Sequence, residues 1–522
     1  MQVRFGFAIL ISKQHLRLNC ILNPNMKQAR PRFLILCFDA LRPDMVSEET
    51  MPNLHRFARE GIRCKQHRAV FPSETRVNQA SLVTGCYPQK HGIVGNKFFD
   101  PVASPGKLFN TGDETQLMEG DRRLRGKLVD VPVLGELLAE HDLSLATLSS
   151  GTPGGARMLN HKAESLGTFR FALHRPDASV PRNAVAEMQE KLGPVPEHQI
   201  PSLEWLTYST NAYLNYIEPV LSPDVCILWF CEPDNSYHFR GLGSPENLQA
   251  LSRADQEFGR ILDWQNSQNE ESPLQIITFS DHGQLTVCGE TINLQGCLQE
   301  AGFTVGEPPG KDVDAAVAVD SAGGIYVRDS DPVLIGRIVE WLQQQPWCGP
   351  ILTRNGEKSL KLEMAGLDHP RAPDIALVLK SNDSENEYGI RGGCMNNSSF
   401  YPVGGGLHGG LNALELQSLM AARGDCFQSE CESKLSSGIV DILPTILHLL
   451  DVPVPEHVQG RVLHEIISES SECSIPEMKR VTHEAQGTGD YQAKLEVTEL
   501  GEHFYLEQGW VEEGLKLSLI HI

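Results

Sequence analysis

Apolar runs and amphipathic stretches alternate along most of this chain, and their order predicts its architecture. Residues 32–39 hold an unbroken apolar run closed by Asp39, the pattern of a central strand buried on both faces. Residues 52–60 then show helical spacing, with Gly61 as the stop. The alternation repeats as helix at 131–140, strand at 143–148, helix at 203–220, strand at 224–231, helix at 246–264 and strand at 274–279. Strands that alternate with helices imply an α/β fold, a three-layer sandwich whose mostly parallel sheet lies between helices. In such sheets ligands sit beyond the carboxyl ends of the strands. Asp39, the segment 232–234 and Asp281-His282 all stand there, so three separate strands deliver acids to one rim.

After His282 the texture changes. A helix at 294–301, strands at 315–319 and 323–328, a helix at 332–345 and a strand at 351–354 make a small α+β insert, expected to sit as a cap over the rim. A strand at 373–379 is expected to resume the core, which passes His408 and closes with a helix at 440–450. Alternating residues at 492–499 and 503–510 around Gly501 predict a C-terminal β-hairpin. The expected parts are an N-terminal extension at 1–30, expected to be disordered, a core at 31–285 and 366–470, the cap insert at 286–365, and the hairpin and tail at 471–522. The apolar run at 5–12 is too short to span a membrane and lacks a small-residue cleavage site, and Met26 would make a natural start. No transmembrane helix is predicted, and the tail at 515–522 reads as irregular.

Composition changes the picture in two places. A formal net charge of −22 argues against a surface for a nucleic-acid duplex, because phosphate backbones reward Lys and Arg. A small anionic substrate is still accommodated, since bound metal ions dominate the field in a closed pocket. The 13 cysteines include no Cys-x-x-Cys pair. Cys37 and Cys226 fall inside apolar runs and read as small core hydrophobes in a reducing, cytoplasmic compartment, with a secreted or periplasmic location as the alternative. Cys426 and Cys431 flank a polar stretch and read as surface-loop residues, with pairing or metal binding as the alternative.

Asp39, Asp234, His238, Asp281, His282 and His408 form a nitrogen-and-oxygen donor set suited to two zinc or similar divalent ions. With the hydroxyl of Thr75 they have the equipment for metal-assisted attack on a phosphorus or sulfur ester. Each residue also has an ordinary reading: Asp39 as a turn cap, His238 as a surface histidine, His408 as a polar residue in a Gly-rich turn. Thr75 opens a helical stretch, where a hydroxyl serves either as an N-cap or as a nucleophile backed by the positive helix end. The loop 151–157 is a flexible turn or a pocket wall where Arg157 meets substrate; Arg42 and Lys97 read as solvated charges.

The run Phe71 to Asp100 resembles the nucleophile region of the type I phosphodiesterase/nucleotide pyrophosphatase family, within the alkaline phosphatase superfamily. The match continues at Phe38-Asp39-Ala40, Glu232-Pro233-Asp234 with His238, Ser280-Asp281-His282-Gly283, His408-Gly409 and the helix start at 438–445. The resemblance implies an alkaline phosphatase-like fold, with Asp234, His238 and His408 holding one metal and Asp39, Asp281, His282 and the Thr75 oxygen the other. It implies that Thr75 is the nucleophile, forming a phosphothreonine intermediate, and that Asn96 donates to the substrate phosphate. Where nucleotide-cleaving members have an aromatic residue after the nucleophile, this chain has Arg76, which lacks the same apolar face but can stack on a ring or grip an anion. The expected activity is hydrolysis of phosphodiester or pyrophosphate bonds in a small phosphorylated substrate. A phosphomonoesterase or phosphonate hydrolase is the first alternative, and an inactive binding protein of the same fold the second. Thr75 argues against a sulfatase, which uses a modified Cys or Ser.

Overall fold

The computed structural model describes residues 30–268, 274–468 and 477–512. The expectations for the N-terminal extension, for Met26 as a start and for the tail at 515–522 lie outside the described residues. Strand β1 (Arg32–Phe38) shows why the continuous apolar run is needed. Its alternate residues divide between two cores: Phe33, Ile35 and Cys37 pack on one side, Leu34, Leu36 and Phe38 on the other. The second face is covered by helices Pro52–Glu60, Leu203–Ala212 and Pro245–Ser267, the first by Thr75–Thr84, Leu134–Ala139 and Ile442–Leu449. This is the expected three-layer α/β sandwich.

The remaining strands of the large sheet are β2 (Ile62–Arg68), β3 (Leu145–Ser149), β4 (Phe169–Ala172), β5 (Val225–Phe230), β6 (Leu274–Phe279), β7 (Met420–Arg423), β8 (Cys431–Gly438) and the two-residue strand Gln417–Ser418, which pairs antiparallel with β2. Strands β6, β1, β5, β3 and β4 run side by side in parallel. On the other flank antiparallel β7 joins β6 to β2, and β8 pairs with β2 in parallel. Cys431 therefore opens a strand, not a loop; Cys37 and Cys226 are core residues as expected.

The insert forms a five-stranded sheet in the order Ala315–Val319, Ala322–Val327, Ile375–Leu379, Cys348–Thr353, Leu360–Lys361. The strand expected to resume the core thus belongs to the insert, where it pairs antiparallel on both sides. A short run of five apolar residues carries no mark of which sheet it joins. The insert meets the rim at its first turn, where the Ser321 hydroxyl donates to the His408 carbonyl at 3.0 Å.

The C-terminal hairpin is present, with a third strand in front of it: Met478–Gln486, Gln492–Leu500 and His503–Val511. It docks on the β2–β8 edge through a buried Arg68–Glu507 ion pair of 2.6 Å and a hydrogen bond from Arg461 Nε to the Tyr505 hydroxyl at 3.0 Å. No helix among the described residues is long and apolar enough to cross a membrane.

Candidate active site

The three strands at the centre of the sheet, β6, β1 and β5, end side by side, and each hands an acid to the same point. The Asp39 N–H donates to Phe230 O at 3.0 Å, the Asp234 N–H to Asp39 O at 3.1 Å, and the Ala40 N–H to Asp281 Oδ1 at 3.1 Å. Ala40 takes a left-handed backbone, φ 61°, to make that turn, a strained choice for a residue with a Cβ. Asp234 begins helix α1 (Asp234–Arg240), and one helical turn on, His238 lies on the same side, with Nε2 3.2 Å from Asp234 Oδ1. His282 Nε2 is 3.2 Å from Asp281 Oδ2 and 3.7 Å from Asp39 Oδ1. Gly283 follows because a Cβ there would meet Leu414 O at 2.0 Å.

His408 arrives from elsewhere in the chain. It follows the short strand Gly406–Leu407, and its Nε2 stops 3.6 Å from Asp234 Oδ1, with its ring stacked on His282 at 3.9 Å. Two groups result, Asp234 with His238 and His408, and Asp39 with Asp281 and His282, each with ligand atoms within 4.8 Å of one another. The six residues predicted from the sequence as ligands are therefore gathered at one buried place.

The hydrogen bonding fixes which atoms face inward. His238 Nδ1 lies 2.7 Å from Gly406 O, His408 Nδ1 2.9 Å from Ser73 O, and His282 Nδ1 3.0 Å from Gly283 O. A carbonyl only accepts, so each ring carries its proton on Nδ1 and offers the Nε2 lone pair to the cluster. Asp39 Oδ1, Asp234 Oδ1 and Asp281 Oδ2 are buried with no hydrogen-bond partner, although the other oxygen of Asp39 accepts from Trp229 Nε1 at 2.8 Å. Burial pushes the Asp39 carboxyl well up, and the Asp281 and Asp234 charges add to it; burial likewise raises Asp281. Burial also acts against Asp234, but the positive charge that His238, His408 and His282 bring when protonated outweighs it and holds that carboxyl below its usual range, a charge that a bound cation would supply in place of those protons. Unpaired buried carboxylate oxygens facing imidazole lone pairs are costly on their own and are satisfied by cations. The donor set is one that could hold divalent metal ions.

Thr75 is the first residue of helix α2 (Thr75–Thr84) and not its cap. Its Oγ1 lies 3.2 Å from His282 Nε2, so the hydroxyl faces the cluster, and the capping alternative falls away. Asn96 is tied to the same helix start: its Oδ1 accepts from the Arg76 N–H at 3.2 Å, and its own N–H donates to the Glu74 carboxylate. Burial pushes Glu74 up to about 7. Arg76 is half-buried, and its Nε has no hydrogen-bond partner.

Two charges behave otherwise than their sequence suggests. Arg157 is held by Glu164 at 2.7 Å and Glu114 at 3.3 Å, so its guanidinium is engaged inside the fold and does not line the cluster. Arg42 is buried, not solvated, and donates to Asp44, Gln284 O and Arg391 O. Sequence reasoning missed three neighbours of the site: Cys231, whose thiol lies among the carboxylates; Gln284, whose Nε2 is 3.0 Å from His238 Nδ1; and Tyr401, stacked on His238 at 4.6 Å. Cys231 carried a signal, because it stands one residue past a strand end beside the acids.

Comparison with known proteins agrees with this geometry. Residues 33–345, more than half of the chain, match the family model of type I phosphodiesterase/nucleotide pyrophosphatase. Bis(5'-adenosyl)-triphosphatase ENPP4 of Bos taurus is 27% identical over 278 residues, 53% of this chain and 52% of the relative. Venom phosphodiesterase of Macrovipera lebetinus is 24% identical over 240 residues, 45% of this chain and 23% of the relative. The chain thus spans about half the length of the bovine relative, and less of the venom protein. Among solved structures, murine ectonucleotide pyrophosphatase/phosphodiesterase 5, an inactive form in complex with AMP, matches with a TM-score of 0.59 and 18% identity, over 84% of this chain and 100% of that one. At that identity the likeness speaks for the fold, an alkaline phosphatase-like one. By the extent of the family match, this chain belongs to the type I phosphodiesterase/nucleotide pyrophosphatase family.

Proposed function

We propose that this chain is a two-metal hydrolase that cleaves phosphodiester or pyrophosphate bonds through a phosphothreonine intermediate on Thr75. One observation carries the reading: Thr75 Oγ1 stands 3.2 Å from His282 Nε2, against a buried cluster in which Asp39 Oδ1, Asp234 Oδ1 and Asp281 Oδ2 have no hydrogen-bond partner. Asp234, His238 and His408 would hold one cation; Asp39, Asp281, His282 and Thr75 Oγ1 the other, with zinc the best match to the donors. Such a pair of ions, when bound, lowers the pKa of the hydroxyl and takes up the charge that grows on the leaving oxygen.

The chain's own residues do the rest. Thr75 Oγ1 attacks phosphorus, the bond to the leaving oxygen breaks, and the phosphoryl group stays on Thr75 until water displaces it. The three Nδ1–carbonyl hydrogen bonds keep the imidazoles from turning as charge moves. Asn96, with its Oδ1 occupied by the Arg76 N–H, has its NH2 group available for a non-bridging phosphate oxygen. The names of the relatives, a bis-adenosyl triphosphatase and a protein in complex with AMP, support a nucleotide-type substrate. Arg76, with its unpaired Nε, supports a substrate carrying an extra negative charge, and it keeps a phosphomonoester or phosphonate as the second reading. The complete donor set opposes an inactive binding protein.

The test uses one preparation. Elemental analysis should find about two equivalents of zinc or a comparable metal per chain. Thr75→Ala should keep the metals and lose about a thousandfold or more in turnover of an aryl phosphodiester. Unchanged turnover would exclude Thr75 as the nucleophile, and metal-free protein would favour the binding role. Rates on an aryl phosphate, an aryl phosphodiester and a nucleoside diester rank the substrate classes.

A further inference from the structure

We propose that Cys231 is a further ligand of this centre, its thiolate shared between the half built on Asp39 and the half built on Asp234, so that the centre prefers thiophilic divalent cations over magnesium or manganese. The inference rests on the two-cation reading above. It begins with strand register. Phe38 on β1 is paired with Phe230 on β5, so Asp39 and Cys231 form the next level of two parallel neighbours and project to the same face. The Asp39 N–H to Phe230 O hydrogen bond, 3.0 Å, holds that level in place. The Cys231 Sγ, an Asp39 carboxylate oxygen and an Asp234 carboxylate oxygen all lie within 4.8 Å of one another. Asp39 serves one half of the centre and Asp234 the other, so the thiol is their common neighbour. Both acids bring a buried Oδ1 without a partner to that place.

The surroundings separate this thiol from those that only fill space. Cys37 and Cys226, on the same two strands, are members of the hydrophobic cores; Cys231 is 8% exposed and belongs to neither. Its position is fixed: its N–H donates to Ser150 Oγ at 2.8 Å, and a Cβ placed on Gly151 would lie 3.8 Å from its sulfur. A buried thiol set among carboxylates gains nothing from packing that a smaller residue would not give, whereas a cation shared with them satisfies sulfur and oxygens together. On loading, the S–H proton leaves and a sulfur–metal bond takes its place. Sulfur is a soft donor, so its presence favours zinc, cadmium or cobalt over ions that prefer oxygen only.

Cobalt(II) is the probe, added stoichiometrically to the full chain. Wild type should show visible d–d bands together with a near-ultraviolet thiolate-to-cobalt charge-transfer band. Cys231→Ser should keep the d–d bands and lose the charge-transfer band, while Cys37→Ser should keep both. The same Cys231→Ser protein should lose about tenfold or more of its preference for zinc over magnesium in competition. X-ray absorption at the zinc edge of wild type needs no variant and should find sulfur in the zinc shell. Wild-type d–d bands with no charge-transfer band, a band that survives in Cys231→Ser, or a zinc shell of nitrogen and oxygen only would overturn the thiolate ligand and leave the two-cation centre standing. Wild type with no cobalt bands of either kind would overturn both.

Discussion

Two buried clusters of charge sit in this molecule, and they are balanced in opposite ways. Around Arg170, which is 1% exposed, Glu164 pairs at 2.6 Å and Glu114 at 3.5 Å, and Arg157 closes the network on the same two acids. The guanidinium of Arg170 also donates to the carbonyls of Asn160 and Ala178. Two cations thus meet two anions, and although burial works against the Glu164 charge, Arg170 and Arg157 bring that carboxyl down to about 2. At the strand ends the reverse holds: Asp39, Asp234 and Asp281 face imidazoles protonated on the far side, and three carboxylate oxygens have no partner. The first cluster is finished by the chain itself. The second is finished only from outside, and that difference separates a structural ion network from a working site more sharply than burial does.

The comparison predicts opposite responses to losing a charge. Asp281→Asn removes repulsion from the open cluster, so with metal chelated the variant should melt no lower than wild type. Zinc at a thousandfold excess over its dissociation constants should stabilise wild type by about 4 kcal/mol per occupied site, and the variant should lose most of the share that belongs to the Asp39–Asp281–His282 half. Calorimetry with and without zinc measures both, and an undiminished zinc effect in the variant would remove Asp281 from the centre. Arg170→Ala, in the closed cluster, should cost about 3 kcal/mol in denaturant unfolding, because it removes one of the two cations facing buried Glu114 and leaves the Asn160 and Ala178 carbonyls short of a donor, and should leave the zinc stoichiometry unchanged.

How much of this could be read from the sequence follows the same division. Strands β1 and β6 and the acids after them were legible because a mainly apolar run with an acid just past its end, Asp39 or Asp281, is a local pattern. His408 could be counted among the donors from its residue type, but its pairing with Asp234 and His238 was legible only through family resemblance, since nothing near Leu407 or Gly409 says what the imidazole will meet. Strands β2 and β8 are written in polar residues, such as Arg63, Lys65, Glu432 and Lys434, because they lie toward an edge that the C-terminal sheet covers in part. The run Ile375–Leu379 was visible as a strand, but its sheet was not. Arg157 looked like a rim residue from its Gly-rich loop; its true partners, Glu114 and Glu164, are brought to it by folding. Cys231 was passed over because a thiol at the end of Val225-Cys226-Ile227-Leu228-Trp229-Phe230 reads as one more apolar residue.

Arg76 and Arg157 carry the comparison down to single side chains. Both were candidates for substrate binding, and both have an Nε without a hydrogen-bond partner, yet Arg76 adjoins Thr75 whereas Arg157 is ion-paired with two acids. Arg76→Ala should raise KM for a doubly charged aryl phosphate about tenfold, roughly 1.4 kcal/mol, at unchanged thermal stability. Arg157→Ala should do the reverse, lowering stability while KM stays within error. Equal effects of the two variants on KM would erase the distinction.

The smallest effect concerns pH. Glu164 has its folded-state pKa depressed, from an ordinary 4.5 to about 2, chiefly through Arg170 against the opposing effect of burial. A depressed carboxyl contributes stability that is fully present above 4.5 and is lost as pH falls toward about 2. Its side chain is 39% exposed, so solvent screens the interaction and the contribution is about 1 kcal/mol or less. Glu164→Gln should therefore be slightly less stable than wild type at neutral pH, and the two unfolding curves should converge as pH falls below about 4. The acids of the open cluster titrate alike in both proteins and cancel in the difference, so the convergence reports the closed network only. Curves that stay parallel down to acid pH would mean that Glu164 holds its place by packing, and that the balance of charge around Arg170 does not stabilise the fold.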